Sequence, residues 1–399
     1  MSATAVSEPW TTTRLGWVFH PVSDRGHKDE MVLSVYRDHG VIPKDSRTDN
    51  FNRTPENLSN YQLVHPGDLV VNRMKAWQGS LGISEYQGIV SPDYEVLRPT
   101  VPKYDHRFLH SLLRSRALID QYALRSTGIR PSQWRLYWDE MKTIEISLPA
   151  AEQQRAIVDY LDRETARIDT LIEEQQRLIE MLRERRASIL SAAFDAGPST
   201  EATKVGRLLA ARPSYGVLVP RYVDEAEGVP FVRVGDLLNL TPERSMLAIV
   251  PEQSDEYSRT KIAGGEVLLG VVGKMGQATL APHWLAGANV ARAVAVLRCK
   301  QPAVAPLLCA WFGSRNFLYQ AELATSGDSI QPTLGMKDLA RLDINLPTDP
   351  DAAADLASRL ANIDTLIEET ERFIAFSMER RAALITAAVT GQIDVREMA

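Results

Sequence analysis

The chain has 399 residues, 44% of them hydrophobic and 24% charged, which is the ordinary composition of a globular protein with a buried core. Its two cysteines, Cys299 and Cys309, are too few for a disulfide scaffold or a four-cysteine zinc site. No apolar run reaches the roughly 18 residues that a membrane helix needs, and the N-terminus lacks the basic start and apolar core of a signal peptide. We therefore expect a cytoplasmic protein with no membrane contact.

The net charge is −6, but the acidic excess is confined to two short segments, 151–197 and 351–399. Residues 1–150 carry 18 basic against 17 acidic side chains, and residues 198–350 carry 15 of each. From Arg98 to Arg135 there are eight basic side chains and two acidic ones. Such a segment is typical either of a solvated face or of a surface that binds phosphate groups, and the count alone does not choose between them.

The first 150 residues predict a mixed α+β domain. Short β-rich runs at 68–72 and 94–98 are bounded by Gly, Pro and Asn, and a helical stretch follows over residues 107–124. Two loops beside these elements carry Arg, Lys and Gln side chains, which reach base edges, and glycines, which let the backbone approach a phosphate. The candidate DNA contacts are Arg73, Lys75, Trp77 and Gln78 in the first loop, and Arg130, Gln133 and Arg135 in the second.

Residues 151–197 predict one long helix, because apolar residues recur at heptad-like spacing with charged residues between them. Acidic residues come early and arginines late, as the helix dipole favours, and the pair Gly197-Pro198 ends the helix. The apolar stripe that we expect to pack consists of Ile168, Leu171, Leu178, Leu182 and Ile189.

Residues 198–350 predict a second α+β domain, with strands at 229–234, 266–272 and 291–298 and a helical stretch over 303–323. Its loops occupy places that match those of the first domain. Lys274 and Gln277 follow a strand, and Gln331 precedes the last helix. Each loop alone could be an ordinary polar turn, but their duplication favours base contact for the set.

Residues 351–399 predict a second long helix, with Ile363, Leu366, Phe373 and Leu384 as its stripe. Residues 168–193 and 363–388 share 15 identities in 26 positions, so the order of domain and helix is repeated within the chain. A long helix with no partner would leave its stripe in water. The predicted fold is therefore α+β: two mixed domains alternate with two long antiparallel helices that form a coiled-coil spacer, in an internal pseudo-two-fold repeat.

A catalytic or metal site is not evident in the sequence. The run 270–276 resembles a phosphate-binding loop, but Leu268 and Met275 stand where glycine and Ser or Thr belong. His106 and His110 are four residues apart but lack the glutamate and the third ligand of a zinc site. The sequence has no Pro-Pro dipeptide, which excludes the motif that holds the target amine in amino-methyltransferases.

The segment LPAAEQQRAIVDYLD, from Leu148 to Asp162, continues into 168–172 and 184–186 and resembles the conserved helix of the specificity subunits of type I restriction-modification systems. The second copy, 346–391, resembles their distal conserved region but lacks the Glu-Gln pair. The resemblance implies target-recognition domain 1 at 1–150, the central conserved helix at 151–197, target-recognition domain 2 at 198–350 and the distal conserved helix at 351–399.

The resemblance also implies function and partners. The chain would be a non-catalytic subunit that binds a bipartite, asymmetric site in double-stranded DNA, with one half for each domain. Two copies of a DNA adenine methyltransferase subunit would dock on the helices, and restriction (translocase) subunits would join through them. S-adenosylmethionine, ATP and Mg would be bound by those partners, and this chain would hold no cofactor and no metal.

The alternative function is a coiled-coil scaffold that bridges two protein partners without sequence-specific DNA binding. An enzyme, such as a fused nuclease, ranks third. The basic segment and the duplicated Lys and Gln loops favour DNA over the scaffold. Binding to duplex DNA that weakens steeply with salt separates the two, because counterion release is expected only for DNA.

Overall fold

A computed structural model of the chain describes residues 10–47, 54–101, 104–130, 133–273, 275–325 and 332–395, with residues 350, 352 and 353 described by their backbone only. The chain folds into two compact units. The first unit contains residues 1–174 and 373–399, and the second contains residues 175–372. In the described part of the chain, no helix is both long and apolar enough to cross a membrane.

The first unit contains an antiparallel sheet in the order β2-β9-β6-β7 and three strand pairs, β1 with β10, β3 with β4 and β5 with β8. Its strands are β1 (Thr11–Arg14), β2 (Phe19–Val22), β3 (Leu33–Tyr36), β4 (Gly40–Pro43), β5 (Gln62–Val64), β6 (Leu69–Asn72), β7 (Leu81–Ile83), β8 (Gly88–Val90), β9 (Tyr94–Pro99) and β10 (Glu145–Leu148). Its helices are α1 (Leu15–Val18), α2 (His106–Leu113), α3 (Arg116–Arg125) and α4 (Trp138–Met141). The long helix α5 (Ala151–Phe194) follows and enters the second unit.

The second unit contains an antiparallel sheet in the order β12-β19-β16-β17, a mixed sheet in the order β13-β15-β14-β18 and the strand pair β11 with β20. Its strands are β11 (Thr200–Lys204), β12 (Ser214–Tyr215), β13 (Tyr222–Val223), β14 (Val229–Val232), β15 (Ala248–Ile249), β16 (Val267–Gly270), β17 (Ala278–Leu280), β18 (Asn289–Val290), β19 (Val294–Leu297) and β20 (Asp343–Pro347). Its helices are α6 (Val205–Leu208), α7 (Pro251–Glu256), α8 (Val304–Trp311), α9 (Arg315–Thr325) and α10 (Met336–Arg341). The second long helix is α11 (Pro350–Val389), which enters the first unit.

The main antiparallel sheets of the two units have the same strand arrangement, which is the shared frame. Across the sheet, β2, β9, β6 and β7 take the positions that β12, β19, β16 and β17 take in the second unit. The predicted strands and long helices are present, but each predicted helical stretch is two helices, α2 with α3 and α8 with α9. The predicted domain boundaries set the long helices apart from the domains, whereas each compact unit includes one end of both long helices.

A buried carboxylate closes the turn before the central strand of each shared sheet. Asp68 accepts a hydrogen bond from a backbone N–H of the turn (2.9 Å) and two from the Arg98 guanidinium (2.9 and 3.0 Å), and this contact raises the pKa of Arg98. In the second unit, Glu266 accepts from two backbone N–H groups of its turn, and Nε of Arg298 lies 3.3 Å from its Oε1. Charge-assisted hydrogen bonds of this kind fix both turns in the same place in the frame.

Helices α5 and α11 run antiparallel where they meet in each unit. In the first unit, Nη2 of Arg381 donates to Oδ2 of Asp169 at 3.1 Å. In the second unit, the Arg186 guanidinium donates to both carboxylate oxygens of Asp364 at 2.7 and 3.2 Å. The internal repeat relates Asp169 to Asp364 and Arg186 to Arg381, so each unit contains the same ion pair with the helices exchanged.

The buried stripe of these helices differs in phase from the predicted one. Ile168, Ile172 and Ile179 are buried, whereas Leu171 is 44% exposed and Leu178 is half-buried. Because an α-helix turns about 100° per residue, positions 172 and 179 lie within about 40° of position 168, while 171 and 178 lie about 60–80° away on the other side. The stripe therefore runs through the isoleucines.

The remaining stripe residues divide in the same way. Ile363 is buried as predicted, and Leu182, Ile189 and Leu384 are half-buried. Leu366 and Phe373 are 48% and 46% exposed, so they and Leu171 lie outside the buried helix interface in which the sequence pattern placed them.

Candidate nucleic-acid interface

The candidate DNA contacts of the first unit lie in two loops that are side by side. Loop A, residues 72–79, follows strand β6, and loop B, whose described residues are 126–130 and 133–136, follows helix α3. The backbone N–H of Leu136 donates to the carbonyl of Arg73 at 2.9 Å. The structure thus brings the two sets of predicted residues, which are about fifty positions apart in sequence, onto one surface.

Two tryptophans hold the loops together. The rings of Trp77 and Trp134 meet edge to face with their centroids 5.4 Å apart, and Nε1 of Trp77 donates to the carbonyl of Met74 at 3.1 Å. Thr127 and Arg135 exchange two backbone hydrogen bonds, of 3.1 and 2.9 Å, which close loop B. Trp77 is therefore an internal anchor of this surface.

The guanidinium of Arg73 is engaged within the unit. Its Nε and Nη2 donate to the carbonyls of Asp93 (3.1 Å) and Pro92 (2.6 Å), and its Nη1 lies 3.6 Å from Oε2 of Glu95. These contacts tie loop A to strand β9, which makes Arg73 a positioning residue for loop A. The other candidates are exposed, and they are Lys75, Gln78, Arg130, Gln133 and Arg135.

Loop A borders an open cleft of about 750 Å³. Lys75 and Gln78 line it, together with Arg37 from the turn between β3 and β4, and Lys44 and Arg47 from the segment after β4. An open cleft lined by several basic side chains suits a polyanion. Arg37, Lys44 and Arg47 could not be predicted as contacts, because nothing in their local sequence pattern shows that they lie beside loop A.

Most arginines of the basic segment bind partners inside the unit. The pairs are Arg98 with Asp68, Arg107 with Asp162, Arg116 with Asp120 and Arg125 with the side chain of Gln121. Part of the excess of basic residues in this segment therefore serves to stabilise the unit through these pairs. The segment's contribution to the candidate interface comes from Arg130 and Arg135 of loop B.

The two histidines of the sequence analysis have structural positions. Burial, and secondarily the charge of Arg114, lowers the pKa of His110 to about 4, and its Nδ1 lies 3.4 Å from the carbonyl of Ile83. His106 packs against Gly67. Among the side chains described in the structure, no group of three His, Cys, Asp or Glu is placed to hold a metal ion.

The second unit brings its corresponding loops together in the same way. The N–H of Leu334 donates to the carbonyl of Val271 at 2.9 Å, as Leu136 does to Arg73 in the first unit. Gln277 is half-buried next to this contact, in the loop after β16. The predicted contacts Lys274 and Gln331 lie outside the described residues and stay predictions.

The chain is similar in sequence to a protein of known function. The chain is 21% identical over 358 residues to the type I restriction enzyme EcoBI specificity subunit of Escherichia coli, a match that covers 84% of this chain and 73% of that protein. The chain is a relative of the type I specificity subunits. The resemblance found in the sequence is thereby confirmed, although no family model matches the chain.

The fold resembles those of two solved chains from type I restriction-modification systems. A chain from a structure of a type I restriction-modification system, solved for its complex assembly and conformational transition, matches with a TM-score of 0.71 and 18% identity, over 96% of this chain and 98% of that one. The HsdS subunit from Thermoanaerobacter tengcongensis matches with a TM-score of 0.52 and 18% identity, over 96% and 97% of the two chains. These matches confirm the α+β fold class.

Proposed function

We propose that this chain is the non-catalytic DNA-recognition subunit of a type I restriction-modification complex. The relationship to type I specificity subunits supports a recognition role and separates the chain from the methyltransferase and nuclease alternatives. The single observation that points to DNA is the side-by-side arrangement of loops A and B, which gathers Lys75, Gln78, Arg130 and Arg135 on one surface. Arg, Lys and Gln are the side chains that read base edges in the major groove.

Each unit reads one half of a bipartite, asymmetric site in double-stranded DNA. The same backbone contact joins the loop pair in both units, but the loop side chains differ, with Arg73 in the first unit where Val271 lies in the second. Equal frames with unequal loops predict two different half-site sequences. The near-neutral charge of each domain suffices for binding if methyltransferase subunits also contact the duplex.

The paired long helices fix the separation of the two half-sites and dock the partner subunits. The two related ion pairs, Asp169 with Arg381 and Arg186 with Asp364, support a pseudo-two-fold, coiled-coil spacer. Apolar side chains on the solvent side of the helices are suited to protein contact, and they are Leu171, Met181, Leu366, Phe373, Phe376 and Met378.

The partners are two copies of a DNA adenine methyltransferase subunit, through which restriction (translocase) subunits join. S-adenosylmethionine, ATP and Mg bind to those partners.

Selection from a library of duplexes randomised at both half-sites tests the recognition role, with the full chain co-expressed with a methyltransferase subunit. We expect one bipartite sequence to be enriched, with affinity that falls steeply with salt. Lys75→Ala and Arg130→Ala should weaken or relax one half-site only, whereas Lys142→Ala, in an exposed pair with Asp139 away from the loops, should match the parent. Salt-insensitive binding without enrichment would instead favour the protein scaffold.

Insertion of one heptad into both long helices tests the spacer. Seven residues after Glu174 and seven after Ala375 keep the buried stripe in phase and lengthen each helix by about 10 Å. That length corresponds to about three base pairs at 3.4 Å each. We expect unchanged half-site sequences separated by a gap about three base pairs longer, and an unchanged gap with intact binding would rule the spacer out.

A further inference from the structure

Strands β3 and β4 form a two-stranded antiparallel ribbon that none of the predicted contacts includes. The register pairs Tyr36 with Gly40 and leaves Arg37, Asp38 and His39 at the exposed tip. The Arg37 and Asp38 side chains are 65% and 73% exposed, and their mutual contact of 3.4 Å is a weak surface pair. Both side chains are therefore open to a ligand.

Contacts with Arg114 and His110 hold the backbone of this tip in place. Arg114 donates through Nη2 to the carbonyl of Arg37 at 2.5 Å and through Nη1 to the carbonyl of Leu81 on strand β7 at 2.8 Å. Gly40 has a φ of +72°, and a Cβ on it would come within 2.6 Å of the His110 ring. The tip is thus held on helix α2 and strand β7 before any ligand arrives, which lowers the entropic cost of binding.

The ribbon tip and loop A border the same two clefts. Arg37 and Asp38 line the cleft of about 750 Å³ with Lys75, and they also line a second cleft of about 580 Å³ with Trp77 and Gln78. A ligand that contacts the exposed side chains of loop A therefore also meets the tip.

We propose that this ribbon is a second reading element of the first unit, whose tip enters the major groove of the DNA half-site that loops A and B contact. The inference rests on the proposed function. The major groove of B-DNA admits a two-stranded β-ribbon, arginine donates to O6 and N7 of guanine, and aspartate accepts from N4 of cytosine. Arg37 and Asp38 together therefore select at least one G·C pair in the first half-site, and Arg114 acts as a positioning residue through the backbone of the tip.

The test is selection from the randomised duplex library by the full chain with a methyltransferase subunit. Arg37→Ala and Asp38→Ala should each abolish the preference for a G·C pair at one position of the half-site that Lys75→Ala and Arg130→Ala also affect. Affinity for the parent site should fall about 5- to 150-fold, which is the range for one lost base contact. The other half-site should be selected as in the parent.

Two matched variants separate base reading from charge. Arg37→Lys keeps the charge but not the planar fork, so the salt dependence should stay and the preference for guanine should weaken. Arg14→Ala removes an arginine of similar exposure on strand β1, paired with Glu145 and outside both clefts, and should bind as the parent does.

The outcomes distinguish this inference from the proposed function. If the parent selects a bipartite site and Lys75→Ala alters its first half, but Arg37→Ala and Asp38→Ala do not, the ribbon inference is overturned alone. A uniform loss of affinity in Arg37→Ala that Arg37→Lys restores would identify a phosphate contact and would also overturn it. If the parent enriches no sequence, both proposals fail together.

Discussion

The two units share the same sheet arrangement, but the helix packed against the sheet carries polar side chains in the first unit and hydrocarbon side chains at the corresponding positions of the second. Helix α2 packs on strand β7 as helix α8 packs on β17, and counted from the first residue of each helix, His110 corresponds to Leu308 and Arg114 to Phe312. In the first unit these positions hold a largely buried histidine and an arginine that donates to backbone carbonyls. In the second unit both residues are fully buried hydrocarbon.

Aromatic side chains pack at the corresponding position of the second unit. Trp311, Phe312 and Phe317 lie with their ring centroids 4.8 to 5.4 Å apart, mostly edge to face, an arrangement that adds to the energy of burial. The first unit instead uses Arg114 to hold an exposed ribbon. The shared sheet and its buried carboxylate therefore maintain the same strand arrangement in both units, while the layer beneath the candidate DNA contacts differs between them.

Removing the buried carboxylate should have the largest effect and should be similar in the two units. Asp68→Ala leaves a turn N–H and the Arg98 guanidinium without their acceptor, and Glu266→Ala does the same to its turn and to Arg298. Loss of one partner of a buried pair costs about 3–5 kcal/mol, and we expect about 3 because both arginines are partly exposed. Hydrogen exchange resolved along the chain measures the loss unit by unit.

The control is Asp139→Ala, which breaks an exposed pair with Lys142 and should change stability by less than about 0.5 kcal/mol. The shared-frame interpretation fails if Asp68→Ala destabilises the first unit by several kcal/mol while Glu266→Ala leaves the second unit unchanged.

The polar layer should make the first unit sensitive to acid in a pH window that the second unit lacks. The pKa of His110 is about 4 in the folded chain and its ordinary value is 6.5, so between those values the unfolded chain binds a proton that the folded chain does not. Stability from this residue is therefore complete above pH 6.5 and is lost as the pH falls towards 4, by at most about 3 kcal/mol. His110→Leu, which installs the residue of the second unit, should remove this dependence.

Denaturant unfolding of parent and variant at pH 7.5, 6.5 and 5.5 checks the sign, because carboxylates common to both chains cancel in the difference. The variant should gain stability relative to the parent as the pH falls, most between pH 6.5 and 5.5. Equal pH profiles would show that the pKa of His110 is not lowered in the folded unit. Leu308→Ala in the second unit is the matched control and should change stability equally at all three pH values.

The frame and the loops could be predicted from the sequence because their signals are local. Strand ends are marked by Gly and Asn, and the two long helices share 15 identities in 26 positions between 168–193 and 363–388. The contact that holds the ribbon tip could not be predicted, since Arg114 reaches Arg37, a residue 77 positions away. The engagement of Arg73 likewise depends on the distant segment 92–95.

The sequence does not decide which of two adjacent apolar residues belongs to the buried stripe, and the reason is different. Leu171 and Ile172 are adjacent and both apolar, as are Leu178 and Ile179, so the periodicity fits either member of each pair. Contact with the second helix decides between them. The candidate contact residues on the loops are harder to predict, because the exposure and direction of their side chains depend on tertiary contacts such as that of Trp77 with Trp134.

Truncation of the stripe compares the helix interface of the two units directly. Ile172→Ala in the first unit and Ile179→Ala in the second should each cost about 2 kcal/mol, because both side chains are buried. Leu171→Ala should change stability by less than about 0.5 kcal/mol, since Leu171 is largely exposed. Chemical denaturation followed by circular dichroism measures all three, and a larger loss for Leu171→Ala than for Ile172→Ala would restore the originally predicted phase.

The smallest effect comes from an exposed interhelical pair of the second unit, in which Arg183 donates to Glu371 at 3.1 Å. The internal repeat relates Arg183 to Met378 and Glu371 to Gln176, which cannot form an ion pair. The pair therefore adds to the second unit a contact beyond the two related arginine–aspartate pairs.

An exposed pair is worth about 0.2–1 kcal/mol, so a double-mutant cycle should give a favourable coupling of about 0.5 kcal/mol that diminishes with salt. The cycle uses Arg183→Ala, Glu371→Ala and the double variant. A coupling that is absent, or that does not change with salt, would show that this pair does not stabilise the helix interface of the second unit.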